Sequence, residues 1–194
     1  MTNSFFFDSN TYFIDKNINY FKYGKCFRVF NENGKQIGFI SEEISKGQKF
    51  LKNFVNKNIL PFQLEIKDNK GNLQSLIFKG WSLMLPSIVI KDDTGNTIGF
   101  VKQKFKLFCP FFTIYNKNKH PIAEVTRNSK IDFFQINGSS GKKIGSINKN
   151  WKGDMYGLFS TADNYNVILN SDDMKLLHKN TVLLGALIIE KILK

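Results

Sequence analysis

Hydrophobic and polar side chains alternate with period two through much of the chain, in Ser87-Ile88-Val89-Ile90-Lys91, Phe111-Phe112-Thr113-Ile114-Tyr115 and Lys130-Ile131-Asp132-Phe133-Phe134-Gln135-Ile136. That spacing predicts strands with one face in a core and one toward solvent. Between them a phrase recurs: a Gly-containing turn, an aliphatic residue, a second Gly and a β-former. It reads Asn33-Gly34-Lys35-Gln36-Ile37-Gly38, Asp93-Thr94-Gly95-Asn96-Thr97-Ile98-Gly99 and Ser140-Gly141-Lys142-Lys143-Ile144-Gly145, with weaker copies at residues 68–73 and 116–123. Such turns supply positive φ at hairpin tips. From residue 71 onward the tips fall near 71, 95, 119 and 141, a spacing of 22 to 24 residues that accommodates two strands per unit.

The pattern therefore predicts an up-and-down antiparallel meander of ten to twelve strands. A meander that long leaves two exposed edges unless it closes. A closed barrel of this size has a bore too wide for its own inward side chains, so another apolar element must fill it. Residues 175–194 supply one: a helix of about 20 residues, on the order of 30 Å long, with Val182, Leu183, Leu184, Ala186, Leu187, Ile188 and Ile189 leaving no polar side. A helix without a polar face must be enclosed. Its apolar run is about nine residues, against the roughly 20 that span a bilayer, which favours enclosure by protein. Gly185 and Ala186 would let strands approach closely. A second helix at 42–56, where Ile44, Phe50, Leu51, Phe54 and Val55 roughly follow helical spacing, competes with a strand reading.

Composition changes the picture only in places. The 194 residues are 42% hydrophobic, with no internal shift, which suits one domain over 1–194. Cys26 and Cys109 have no Cys or His at ligand spacing and read as buried thiols of a reducing compartment. The start, with only Phe5-Phe6-Phe7 in an apolar run and no basic lead, does not read as a secretory signal, so a cytoplasmic location is expected. Asn137-Gly138-Ser139 matches a glycosylation sequon but reads as a turn. Net charge is +12, and only Arg28 and Arg127 among the 28 basic residues are Arg. Residues 102–152 hold eleven basic residues, Lys102, Lys104, Lys106, Lys117, Lys119, Arg127, Lys130, Lys142, Lys143, Lys149 and Lys152, against Glu124 and Asp132, hence +9 of the total. Alternation places Lys102, Lys104 and Lys106 on one strand face while Val101, Phe105 and Leu107 face the core.

The segment Ile144-Gly145-Ser146-Ile147-Asn148-Lys149-Asn150-Trp151-Lys152-Gly153, followed by Ala162-Asp163-Asn164-Tyr165 and the apolar helix, resembles the phospholipid scramblases of the Tubby C-terminal-like superfamily, which also includes the LURP-one-related proteins. Tyr12-Phe13-Ile14-Asp15-Lys16, Pro61-Phe62 and the repeated G-x-x-I-G phrases suit the same family. The resemblance implies a mainly β fold: a twelve-stranded closed antiparallel barrel around a central hydrophobic C-terminal helix. It also implies functions from phosphoinositide binding to Ca²⁺-dependent lipid scrambling, among which fold does not choose. The calcium segment it implies would use Asp163, Asp172 and Asp173, but Thr161 stands where the leading Asp belongs. Calcium takes six to eight oxygens. The competing reading is a polar loop whose Asp172 or Asp173 lies near the helix start.

Two functional classes remain. The basic residues of 102–152 form a face for an anionic phospholipid or phosphoinositide surface, at roughly 1 kcal/mol per Lys near the membrane; a solvated lysine-rich surface is the plain alternative. A nucleic-acid or protein-interaction module is the competitor. Against nucleic acid stand the scarcity of Arg and the aromatic residues Phe105, Phe111, Phe112, Phe133 and Phe134, which are expected mostly in the core. Catalysis has no constellation: His120 lies in a turn, His178 on the last helix, and Gly138-Ser139-Ser140-Gly141-Lys142-Lys143 lacks the full phosphate-loop spacing. The expectation is a non-enzymatic, cytoplasmic or peripheral membrane barrel without a required cofactor.

Overall fold

The computed structural model describes residues 5–15, 26–43, 55, 59–82, 87–106, 109–128, 133–149, 164–170 and 174–192. Twelve strands follow in chain order: β1 (Thr11–Asp15), β2 (Cys26–Asn31), β3 (Gln36–Glu43), β4 (Phe62–Asp68), β5 (Leu73–Lys79), β6 (Ser87–Asp92), β7 (Thr97–Lys106), β8 (Cys109–Asn116), β9 (Pro121–Asn128), β10 (Phe133–Gly138), β11 (Lys143–Lys149) and β12 (Asn164–Leu169). Each pairs antiparallel with its sequence neighbours, and β1 pairs with β12, so the meander closes into a barrel without free edges. One helix, α1 (Leu176–Ile192), ends the described chain. The expected closure and terminal helix are both present. Of the candidate helix at 42–56, Glu42 and Glu43 end strand β3, and most of the remainder lies outside the described residues.

Five tight hairpins among the described residues, at one end of the barrel, share a single construction. A residue with φ between 61° and 85° occupies the bulge position of each: Gly34, Gly71, Gly95, Lys119 and Gly141. Four of the turns begin with Asn or Asp, whose side-chain oxygen accepts two backbone N–H groups. Asn31 Oδ1 takes those of Asn33 and Lys35 at 3.1 and 3.0 Å, and Asn116 Oδ1 those of Asn118 and His120, both at 3.0 Å. Asp68 and Asp92 do the same for Lys70 with Asn72 and for Thr94 with Asn96. At Asp68 slight burial pushes the carboxyl up, but hydrogen bonds from Asn72 and Lys70 outweigh it and hold it below its ordinary value. Lys119 is the non-glycine in this left-handed position, at a cost of about 1–2 kcal/mol. Lys119→Gly relieves it and returns part of the gain as unfolded-chain freedom. A rise of about 0.5–1 kcal/mol is expected in urea-unfolding stability.

The second Gly of each phrase has a different task. Gly38, Gly99 and Gly145 face inward just past the turns, and a Cβ on them would run into the carbonyl oxygens of Lys67, Tyr115 and Ile168 on the neighbouring strands. At Gly99 it would also strike the Thr181 methyl of α1. Gly99→Ala is expected to lower stability by about 3 kcal/mol, an overpacking cost met by strand and helix together. Equilibrium urea denaturation measures it.

The bore is filled from two directions. Helix α1 packs against β6 to β9 and β12, and Thr181 through Ile189 are all buried, Leu187 being the most exposed at 3%. It runs from the hairpin end, where Gly99 meets Thr181, to the far end, where Tyr165 Oη donates to the Leu187 carbonyl at 2.7 Å. Gly185 meets Val101 and Ile114, confirming its expected role of close approach. On the other side a short 3-10 helix, Phe5–Phe7, lowers the Phe6 ring onto Gly38, 6.2 Å from the Tyr12 ring. Phe6, in a run read from sequence only as too short for a signal, thus joins the buried core.

Candidate anionic-surface interface

Residues paired directly across antiparallel strands point to the same side, so register sorts the basic residues. Lys102 pairs with Thr113 and Lys104 with Phe111, while Val101, just before Lys102, pairs with Ile114 on the inward face. Lys102 and Lys104 are exposed and Val101 is fully buried, as alternation predicts. Lys106 continues the β7 register toward the far end. Lys143 pairs with Asn137 on the same outer wall, four strands away. Lys117, Lys119 and Lys142 stand at exposed hairpin tips. Lys130 and Lys152 lie outside the described residues, as do Asp163, Asp172, Asp173 and Thr161.

Arg127 and Lys149 are not on this wall. Arg127 pairs with Phe134 and Lys149 with Tyr165, both inward-facing residues, and both cations approach the buried Phe134 ring, at 6.0 and 5.7 Å. The described members of the basic set therefore divide into an outer wall, a set of turn tips and an inner rim at the far end. The other Arg pairs with the fully buried Asp15 through its Nη2. Buried Lys79 donates from Nζ to the Leu60 carbonyl at 2.7 Å, and burial pushes its ammonium below the ordinary lysine value.

Register also corrects the aromatic assignment. Phe112 and Phe134 are inward and wholly buried, but Phe111 and Phe133 are outward and half-buried, because adjacent residues of a strand cannot share a face. Phe100 and Tyr115 are outward as well. The doublets Phe111-Phe112 and Phe133-Phe134 carried that signal. Lys102 Nζ sits 5.6 Å from the Tyr115 ring, Lys104 Nζ 5.7 Å from Phe111 and 5.9 Å from Tyr115, and Lys143 Nζ 5.4 Å from Phe133. Such contacts attract the ammonium groups to the ring faces. Glu124, exposed beyond Thr113, is the acid of the same row. The chemistry of this wall is multivalent attraction for anions beside apolar surface. Among the described residues no group of three or more His, Cys, Asp or Glu could hold a metal ion, and no helix is long and apolar enough to cross a membrane.

Comparison with known proteins points to one family. Human phospholipid scramblase family member 5 is 30% identical over 95 residues, covering 45% of this chain and 35% of that protein. Mouse phospholipid scramblase 1 is 28% identical over 141 residues, covering 65% of this chain and 42% of that protein, and the rat protein matches equally over 41% of its length. The matched regions thus span less than half of these relatives. No solved structure matches. The Scramblase family model matches residues 20–191, most of the barrel and its helix, and the chain belongs to the scramblase family.

Proposed function

We propose that this scramblase-related barrel docks peripherally on anionic phospholipid, including phosphoinositide, through the outer wall of β7 to β11, without chemical turnover. The observation that carries the reading is the exposed pair Lys102 and Lys104 poised over Tyr115 and Phe111, cation beside ring. Lysines attract lipid phosphates, and aromatic rings suit the boundary between headgroups and chains. The names of the relatives, which speak of phospholipid, support the same class of surface. Calcium enters as a variable of the test through Asp163, Asp172 and Asp173.

Co-sedimentation with vesicles tests it: pelleting with phosphatidylserine- or phosphoinositide-containing vesicles and little with phosphatidylcholine alone is expected. Equal pelleting on neutral and anionic vesicles would refute it. Running each arm with calcium and with chelator reads the Asp segment separately. The second reading, a nucleic-acid module on the same wall, draws on the interleaving of Lys with aromatic rings, which also suits single strands. Neither Arg lies on the wall, and gel shifts over a salt series decide, since phosphate contacts lose affinity steeply with salt.

A further inference from the structure

The outer wall continues past the lysines. Phe78 of β5 pairs with Val89 of β6, Val89 with Phe100 of β7, and Phe100 with Tyr115 of β8. Four neighbouring strands thus place an apolar side chain in one outward row, where a solvated barrel wall would be polar. Phe78 is 44% exposed, and Trp81, three residues further on and just past the end of β5, is 61% exposed. Exposed apolar surface of this kind, contiguous across strands and bordered by charge, marks a contact surface.

Its chemistry selects the partner. Lys102 and Lys104 border the row and reach back over Tyr115, so the surface is cationic at its edge and aromatic at its centre. A protein partner with an acidic rim would satisfy the charges, but Trp and Phe beside Lys is the composition that settles at a bilayer interface. We propose that the wall of β5 to β8 lies flat on an anionic bilayer, with Trp81 and Phe78 entering the boundary between headgroups and acyl chains and Lys102 and Lys104 resting on lipid phosphates. This rests on the peripheral-docking reading above and adds an orientation and a depth.

The chain has two Trp, Trp81 and Trp151, so Trp151→Phe leaves Trp81 as the reporter. With vesicles of phosphatidylcholine and phosphatidylserine carrying lipids brominated at defined depths, a blue shift of Trp81 emission is expected. Quenching should be strongest for bromines nearest the headgroup. Pelleting with unchanged Trp81 emission would overturn the insertion while leaving docking intact; no pelleting would overturn docking itself. A blue shift or quenching produced by a single-stranded oligonucleotide in place of vesicles would also overturn the proposal.

Should Trp151→Phe fail to fold, the intact chain supplies the second measurement. Trp81→Ala combined with Phe78→Ser is expected to weaken vesicle binding roughly tenfold at high salt, where the lysine contribution is screened. Unchanged high-salt binding would overturn the insertion.

Discussion

Leu184→Asp is expected to yield a chain that does not fold, and Leu184→Ala one that folds with about 2–5 kcal/mol less stability. Leu184 is fully buried on α1, beside the glycine that meets Val101 and Ile114. A carboxylate there would lie in the buried core cluster that Leu184 shares with Ile114, Val125 and Val167, all wholly buried. Removing buried methyl groups costs about 2–5 kcal/mol, while a whole domain is stable by only about 5–15 kcal/mol. An unpaired charge costs more than that margin allows. Far-ultraviolet circular dichroism and a urea curve read both variants. A folded Leu184→Asp protein of near-native stability would mean that the helix does not occupy the bore.

Reversing Lys102 and Lys104 to Glu is expected to weaken binding to anionic vesicles by at least tenfold at low salt, with little change in stability. Each Lys near an anionic leaflet contributes about 1 kcal/mol, and reversal replaces attraction with repulsion. Screening at physiological salt trims the sum, since the Debye length is then about 8 Å. Both side chains are exposed on the outer wall, so the fold tolerates the change. Lys117→Glu with Lys142→Glu, on turn tips at the hairpin end, is the matched control and should lose less. Vesicle titrations at two salt concentrations measure both pairs; equal losses would mean that charge acts without regard to the wall.

The barrel was legible because two local signals agreed along the whole chain. Period-two alternation set the faces, and the turn glycines set the tips so closely that Gly71, Gly95, Lys119 and Gly141 all carry positive φ. The helix was legible because an element apolar all round has few places to go. The basic site was only partly so. Lys102 and Lys104 followed from alternation within one strand, whereas Arg127 and Lys149 turn inward through the pairing of β9 with β10 and of β11 with β12. Charge counted along a sequence carries no such register. Phe6 escaped for a related reason: three phenylalanines show no period, and the packing of Phe6 on Gly38 exists only once β3 has its place in the barrel.

The seam between β1 and β12 joins residues 11–15 to residues 164–168, and the helix that fills the bore comes later still. During synthesis the nascent sheet therefore has two unpaired borders and a hollow centre until α1 leaves the ribosome. Ring closure and core filling therefore wait until all twelve strands and the helix have been made, and each depends on the other, a slow, long-range step. The emerging chain, with its exposed strands and aromatic interior, is a natural client for holding chaperones over that interval.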